Sequence, residues 1–189
     1  MPIINSHNRL CNLIEVSFST AHAEQFSRSI TTNNDVQKIH KLSKQILELF
    51  PYRPFCCAYM SALLVDFARQ QGLTCYLVAG SLDFKGKRLF VYEDSIESSN
   101  IIPDWTGHCW VVLNNTIIEI SLFRTAYSQH APQWLNALII EQFGEGKGVI
   151  IADYVKMSEY GFSYQPEYIF TEQQIEGISK AADLLILES

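Results

Sequence analysis

Hydrophobic residues recur along the chain at two spacings, and these spacings predict where helices and strands lie. Apolar residues three or four positions apart indicate a helix that begins at Asn34 or Asp35 and ends before Pro51. A second helix is expected over about 57–71, because this segment has a broad apolar face and Gly72 follows as a stop signal. Two consecutive helices are therefore expected in the first half of the chain.

Short apolar runs after the second helix predict strands. One run covers 74–80, and a second covers 88–93, with a glycine-containing turn between them. The polar, Ser- and Thr-rich segment 18–34 is expected to be a loop or a loosely attached arm, and 95–106 is expected to be a loop. These strands precede the segment with the strongest hairpin signal in the chain.

The last third of the sequence mixes helical and extended patterns. A helix is expected over 132–143, a strand over 148–155 and irregular structure over 156–168. Thr171 and Gln174 form a capping-box pattern at the start of a final helix. The order helix, helix, several strands, helix predicts an α+β domain with its N-terminal helices packed on an antiparallel sheet. A length of 189 residues favours a single domain over 1–189.

Composition excludes several classes of function. The formal net charge is -6, with 14 basic and 20 acidic residues, so the basic patch typical of a nucleic-acid-binding protein is not expected. No apolar run is long enough to cross a membrane, and the N-terminus lacks the pattern of a secretion signal. Five cysteines, an odd number, argue against a disulfide framework. We therefore expect a cytoplasmic protein with reduced thiols.

The hairpin places a histidine and a carboxylate on one face of the predicted sheet. If the chain turns at Asn114 and Asn115, side chains alternate so that His108, Trp110 and Glu119 point to the same side. His108 and Glu119 are then diagonal neighbours, separated by roughly 7–8 Å between backbone positions, a distance that long side chains bridge. A carboxylate beside an imidazole holds one tautomer and stabilises its positive charge.

Cys57 lies where the second helix is expected to begin, and this position suits a nucleophile. The helix dipole and its free N–H groups favour a thiolate over a thiol. The same N–H groups can hold an oxyanion that develops on an attacked carbonyl. If the helix start packs against the sheet, Cys57, His108 and Glu119 would form a nucleophile, a base and an orienting acid.

These residues resemble a known group of proteins. The stretch from Cys57 to Gly80 is similar to the transglutaminase-like segment, in which a cysteine opens an apolar helix and a short strand ending in glycine follows. The stretch "GHCWVV" resembles the His-x-Trp strand of that group, and "IIEIS" its next strand. The resemblance covers about 45–123, leaving a C-terminal extension over about 124–189. It implies a papain-like thiol fold with the triad Cys57, His108 and Glu119.

Two features depart from that group. Glu119 stands where an Asp is usual, and only 11 positions separate it from His108, which leaves room for a two-residue turn. Either departure is compatible with an acid of the triad that lies elsewhere in the chain, or with loss of activity. Asp104 and Ser121 are weaker substitutes for the acid. Cys56 is a less favoured nucleophile than Cys57, because it would lie one residue outside the helix and point away from the sheet.

Other chemistry receives less support from the sequence. A zinc site made of Cys56, Cys57, His108 and Cys109 is disfavoured, because adjacent cysteines lack the usual spacing of zinc ligands. No metal and no cofactor is expected. Cys109 and Cys75 are expected to be packing residues.

The sequence thus predicts a thiol-dependent enzyme that attacks an amide or related acyl bond. Hydrolysis is favoured, as by a peptidase, deamidase or amidase, and the substrate would be a peptide, a protein or a small amide. Tyr52, Trp105 and Trp110 are candidates for the oxyanion site or cleft. Two alternatives stay open: an acyltransferase or transamidase with the same triad, and an inactive domain that binds a peptide or protein. The oligomeric state is not predicted.

Overall fold

The structure is a computed structural model that describes residues 2–93 and 106–188. Within these residues eight helices surround one six-stranded sheet. The helices are α1 (Pro2–Ser17), α2 (Thr20–Arg28), α3 (Asn33–Leu49), α4 (Cys57–Gln70), α5 (Leu122–Ala126), α6 (Gln133–Phe143), α7 (Tyr154–Glu159) and α8 (Glu172–Leu187). The strands are β1 (Tyr76–Phe84), β2 (Lys87–Phe90), β3 (His108–Leu113), β4 (Thr116–Glu119), β5 (Ile150–Asp153) and β6 (Phe162–Ile169).

All pairings in the sheet are antiparallel, so the predicted α+β class with an antiparallel sheet is confirmed. The strand order is β2-β1-β3-β4-β5, and β6 pairs with β1. Strand β1 is the longest, and it pairs with β3 through its first half and with β2 through its last residues. The start of β3 therefore lies beside the middle of β1, where Gly80 is opposite His108.

Helices cover both faces of the sheet, and alternating side chains supply two separate cores. On one face, Cys109, Val111 and Ile118 pack with α3, α4 and α8. On the other face, Trp110, Val112 and Ile117 pack with residues of α1, α2 and α6. The sheet strands are consequently apolar on both sides, which explains the continuous apolar run of β3.

Helix α3 begins and ends as its caps dictate. The Thr32 hydroxyl accepts a hydrogen bond from the Asp35 backbone N–H at 3.2 Å, and the Asp35 carboxylate accepts one from the Thr32 N–H at 2.9 Å. This capping box fixes the helix start near the predicted one. Helix α4 also agrees with the predicted span to within one residue, because Gly72 at φ 75 ends it in a conformation that favours glycine.

Two segments differ from the expected structure. The segment 18–34, expected to be a loop, contains α2, which Ala23 and Phe26 anchor to the core. The segment 156–168, expected to be irregular, contains the end of α7 and most of β6. Strand β6 accommodates Pro166 because it pairs only with β1, so the residues on its other edge need no backbone donor.

Residues 124–188 are an integral part of the fold. Strand β6 pairs along β1, and α8 packs against α4, so this segment completes the sheet and covers the helix that begins at Cys57. The loop expected over 95–106 lies almost entirely outside the described residues. None of the helices in the described ranges is long and apolar enough to span a membrane.

Gly80 allows β6 to approach β1 at the level of His108. A Cβ at this position would lie 2.0 Å from the Gln165 carbonyl oxygen and 2.9 Å from Trp110 Cη2. Gly80→Ala is therefore expected to lower the free energy of unfolding by about 2–4 kcal/mol, because the strands must separate. The matched control is Gly177→Ala in α8, where nothing lies within 4 Å of the added Cβ.

Gly177→Ala is expected to raise the free energy of unfolding by about 0.5–1 kcal/mol, because alanine loses less backbone entropy in a helix. Urea denaturation of both variants measures the two changes. A Gly80→Ala protein as stable as the wild type would contradict the close approach of β6 to β1 at Gly80.

Candidate active site

Cys57 is the first residue of α4, and local sequence explains this position. Pro51 and Pro54 keep the preceding segment out of the helix, and Cys56 occupies the N-cap without a side-chain capping bond. The first N–H groups of a helix have no partner within it, so the positive end of the α4 dipole is directed toward Cys57. The Cys57 side chain is buried, with a relative exposure of 8%.

His108 and Glu119 come together through the predicted hairpin. Leu113 pairs with Thr116 and Val112 with Ile117, and Asn114 adopts a φ of 54 at the turn. This is the expected register, and it carries Glu119 to the same face as His108. His108 Nε2 lies 2.6 Å from Glu119 Oε2, and both side chains are fully buried. The glutamate side chain is long enough to bridge the diagonal between the two strands.

The Glu119 carboxylate is fixed by four further hydrogen bonds. Its Oε1 accepts from the Ser121 backbone N–H at 3.1 Å, the Ser121 hydroxyl at 3.2 Å and the Leu122 N–H at 3.1 Å. Its Oε2 also accepts from the Tyr164 hydroxyl at 3.1 Å. Glu119 thus caps the start of α5 and is held from β6 as well, so its position relative to His108 is set from three elements.

Two aromatic rings lie beside the imidazole. The Phe90 ring stacks on His108 with centroids 4.6 Å apart and planes at 15°, and the Trp110 ring centroid is 6.2 Å away. Because Nε2 faces Glu119, Nδ1 is the nitrogen available to a nucleophile. Nδ1 is buried and makes no hydrogen bond of standard geometry within the described part of the chain.

Helix α4 begins at Cys57 and packs against β3, which begins at His108. Helix α4 covers the sheet face that carries Cys109, while the imidazole lies on the face of Trp110, so the thiol can reach the ring only around the end of the strand. Distances between catalytic groups are often long in unliganded sites and shorten when substrate binds.

The environment favours the charged form of all three groups. A hydrogen bond with the Cys109 side chain lowers the pKa of Cys57 well below its ordinary 9.0; burial opposes this, and His108 adds to it. Burial opposes the charge on His108, but Glu119 and then Cys57 outweigh it and raise its pKa to about 10. Burial likewise opposes the Glu119 charge, but His108 outweighs burial and lowers that pKa. The arrangement favours a thiolate, an imidazolium and a carboxylate in series.

A buried arginine organises the segment that leads into Cys57. The Arg124 guanidinium donates to the Phe50 and Pro51 carbonyls at 2.9 Å each and to the Leu47 carbonyl. These carbonyls lie at the end of α3, where helical carbonyls lack partners within the helix. Phe55 adopts a φ of 58, which is unusual for a residue other than glycine, and its N–H donates to the Thr125 hydroxyl at 3.1 Å. The residues after β4 thus fix the approach to the nucleophile.

The remaining predicted site residues have different placements. Tyr52 is exposed, and the Arg124 guanidinium lies 5.4 Å from its ring centroid. Trp110 is fully buried, so it is a core aromatic beneath His108. Cys56 is partly buried, and its thiol points to the Pro54 carbonyl at 3.5 Å. Trp105 lies outside the described residues, as does Asp104, the alternative acid.

Sequence reasoning missed three residues of the site. Tyr164 holds Glu119 from β6, a strand that was not expected, although alternating Phe162 and Tyr164 carried a period-two signal. Phe90 contacts His108 because β2 pairs with the part of β1 that lies beyond the end of β3. Arg124 is a lone charge after an apolar strand, and no sequence pattern marks it as buried.

The described residues contain no group of three or more His, Cys, Asp or Glu side chains arranged to hold a metal ion. Comparison of the chain with protein-family models, with curated proteins and with solved structures gives no match. The function is therefore inferred from the geometry of the site.

The shifted pKa values of Cys57 and His108 predict how the free energy of unfolding depends on pH. The raised His108 pKa contributes stability that is complete below 6.5 and lost as pH rises through about 10. The lowered Cys57 pKa contributes stability that is complete above 9.0 and lost as pH falls through the folded-state pKa. Below pH 9, and above both 6.5 and the folded-state pKa of Cys57, the two proton differences cancel, so this pair leaves the free energy of unfolding level.

Cys57→Ala removes the thiol, so the proton gained by His108 on folding is no longer compensated by a proton lost from Cys57. Its free energy of unfolding is expected to fall as pH rises above 6.5, with a slope of up to about 1.4 kcal/mol per pH unit relative to wild type. The matched control is Cys75→Ala, which removes another buried thiol away from the pair. Urea denaturation across this pH range measures both, and parallel profiles for the two variants would contradict the coupling.

Proposed function

We propose that the protein is a thiol-dependent enzyme that cleaves an amide or related acyl bond through Cys57, His108 and Glu119. The observation that carries this proposal is the fully buried His108–Glu119 pair, with 2.6 Å between Nε2 and Oε2 and with Nδ1 directed away from the carboxylate. Burying two charged groups is costly, and apolar side chains would fill the same space at a lower free-energy cost, so the pair indicates a role beyond packing.

The proposed reaction proceeds in two steps. The Cys57 thiolate attacks the carbonyl carbon, an S–C bond forms, and the C–N bond breaks as the His108 imidazolium protonates the leaving amine. Water then attacks the thioester while neutral His108 accepts a proton from it. The C–S bond breaks to regenerate the Cys57 thiolate beside the imidazolium, and the product leaves as a carboxylic acid that gives its remaining proton to solvent.

The start of α4 supports charge development in this reaction. The oxyanion of the tetrahedral intermediate would form next to the Cys57 N–H, at the positive end of the helix. Tyr52 and Trp105 stay side-chain candidates for a second donor. Glu119 keeps the imidazole oriented through both steps and offsets its positive charge.

We further propose that the core is papain-like. In support, a helix that begins with the nucleophile packs on an antiparallel sheet, and adjacent strands of that sheet supply the histidine and the acid. The substitution of glutamate for the usual aspartate favoured an inactive domain. Glu119 nevertheless reaches the imidazole at hydrogen-bonding distance, and this supports an active triad. Hydrolysis remains our first choice over transfer to an amine.

An activated ester tests the nucleophile without knowledge of the natural substrate. With p-nitrophenyl acetate, we expect one acetyl group on Cys57, detected by peptide mass spectrometry, and release of acetate on further incubation. His108→Ala is expected to lower the acylation rate by about 10²–10⁴-fold, because the imidazolium that stabilises the Cys57 thiolate is lost. The control is Cys75→Ala, which should acylate at the wild-type rate.

The same experiment separates the alternatives. An amide product formed when a simple primary amine is added would indicate a transferase. Absence of any acetyl-Cys57, with slow and equal labelling of all five cysteines, would overturn the proposal and leave a binding domain.

A further inference from the structure

Exposed apolar side chains are concentrated just before the proposed nucleophile. Leu49, Tyr52 and Phe55 have exposed fractions of 56%, 66% and 55%, and all three lie in the stretch 49–56 that leads to Cys57. Single exposed apolar residues are ordinary on a protein surface, but a group of them marks a surface that contacts a ligand or a partner. This group adjoins the reacting thiol, so a bound substrate is the molecule that would contact it.

The Phe55 backbone is held in a conformation that a bulky residue rarely adopts. Its φ of 58 lies in the left-handed region, where phenylalanine carries a steric penalty that glycine does not. The Phe55 N–H donates to the hydroxyl of Thr125, a buried residue of α5, at 3.1 Å. The Phe55 side chain is nevertheless half exposed, so packing in the core does not explain the strain. Strain of this kind is typical of residues that bind a ligand.

Tyr52 is exposed, yet its surroundings keep it in place. The Arg124 guanidinium lies 5.4 Å from the Tyr52 ring centroid, within the range of a cation–π interaction. That guanidinium is itself fixed, because it donates to the Phe50 and Pro51 carbonyls at 2.9 Å each. Pro51 and Pro54 also restrict the backbone on both sides of Tyr52. The Tyr52 ring is therefore presented to solvent from an ordered segment.

Helix α5 fixes Phe55 relative to the acid of the triad. Thr125, which holds the Phe55 N–H, belongs to α5, and the Leu122 N–H at the start of that helix donates to the Glu119 carboxylate at 3.1 Å. One residue separates Phe55 from Cys57, so their Cα atoms are at most about 7 Å apart. An acyl group attached to Cys57 thus has the Phe55 ring within reach, at a place set by the same helix that holds the acid.

We infer that Tyr52 and Phe55 bind the acyl part of the substrate and select an acyl group that carries an apolar or aromatic side chain. This inference rests on the proposed function, because it names the substrate class of the same site. Aromatic rings offer a large apolar contact area, and each apolar group that they remove from water favours binding. A substrate with a small or charged group beside its carbonyl would gain nothing from these two rings.

Two activated esters that differ only in the acyl group test this selection. The acyl group of p-nitrophenyl acetate ends in a methyl group, whereas that of p-nitrophenyl phenylacetate carries a ring. In both, the Cys57 thiolate forms an S–C bond while the C–O bond breaks and p-nitrophenolate leaves. Dividing each acylation rate constant by that of the free thiol N-acetylcysteine removes the difference in intrinsic reactivity. After this correction we expect the wild type to prefer the phenylacetate by about 10–100-fold.

Removal of either ring is expected to reduce this preference. Phe55→Asn keeps a residue that tolerates the left-handed backbone, and Phe55→Gly relieves the strain, so the ring can be removed in two ways that the backbone accepts. Each variant is expected to lower the preference about 5–10-fold. Tyr52→Ser should lower it to a similar extent, whereas Tyr52→Phe keeps the ring and should retain it.

The matched control is Ile30→Asn, which removes another exposed apolar side chain from a connection between helices. Ile30 is remote from the site, because the hydroxyl of its neighbour Thr31 donates to the Leu113 carbonyl, at the opposite end of β3 from His108. This variant should keep the wild-type preference for the phenylacetate.

The two esters distinguish failure of this inference from failure of the proposed function. If the acetate acylates Cys57 but the wild type has no corrected preference, the inference fails and the proposed function stands. The same conclusion follows if the preference survives in both Phe55→Gly and Tyr52→Ser. If neither ester acylates Cys57, both fail.

Discussion

The buried pair of His108 and Glu119 is the constraint on which the site depends. Two ionisable groups without solvent are costly unless each is paired and hydrogen-bonded. Here the imidazole and the carboxylate satisfy one another, and Ser121, Leu122 and Tyr164 supply donors to the remaining lone pairs of the acid. The charge balance extends to Cys57, because the Cys109 side chain and then His108 lower the pKa of its thiol.

The surrounding fold can be understood as support for this pair. The tight turn at Asn114 fixes which residues of β3 and β4 face each other. Helix α5 begins at Leu122, three residues after Glu119, so the N–H groups at its start donate to the carboxylate. Gly80 admits β6 close to β1, and β6 carries Tyr164. Residues far apart in sequence therefore converge on a single carboxylate.

Much of the site could be predicted because its determinants are local. A two-residue turn and a side-chain period of two are sufficient to place His108 and Glu119 on one face, and the glycine after α4 sets the position of Cys57 relative to its helix. The partners from β6 and β2 could not be predicted in the same way. Their contacts depend on which strands lie beside β1, and this is decided by packing over the whole sheet.

The missed helix α2 has a similar explanation. Its sequence is polar, and only Ala23 and Phe26 are buried, so the pattern within the segment is weak. The Ser19 hydroxyl caps its start, and contact with α1 and the ring of Tyr76 holds it in place. Packing stabilises a segment that propensity alone would leave as a loop.

The central claim is that His108 is a charged imidazolium held between a carboxylate and a thiolate. Nitrogen-15 NMR of the histidine side chains at about pH 8.5 tests this most directly, because the chemical shifts report whether one or both ring nitrogens carry a proton. We expect one imidazole to be doubly protonated at this pH, to lose its proton near pH 10 and to be absent from the spectrum of His108→Ala. A neutral His108 at pH 8.5 would contradict the claim.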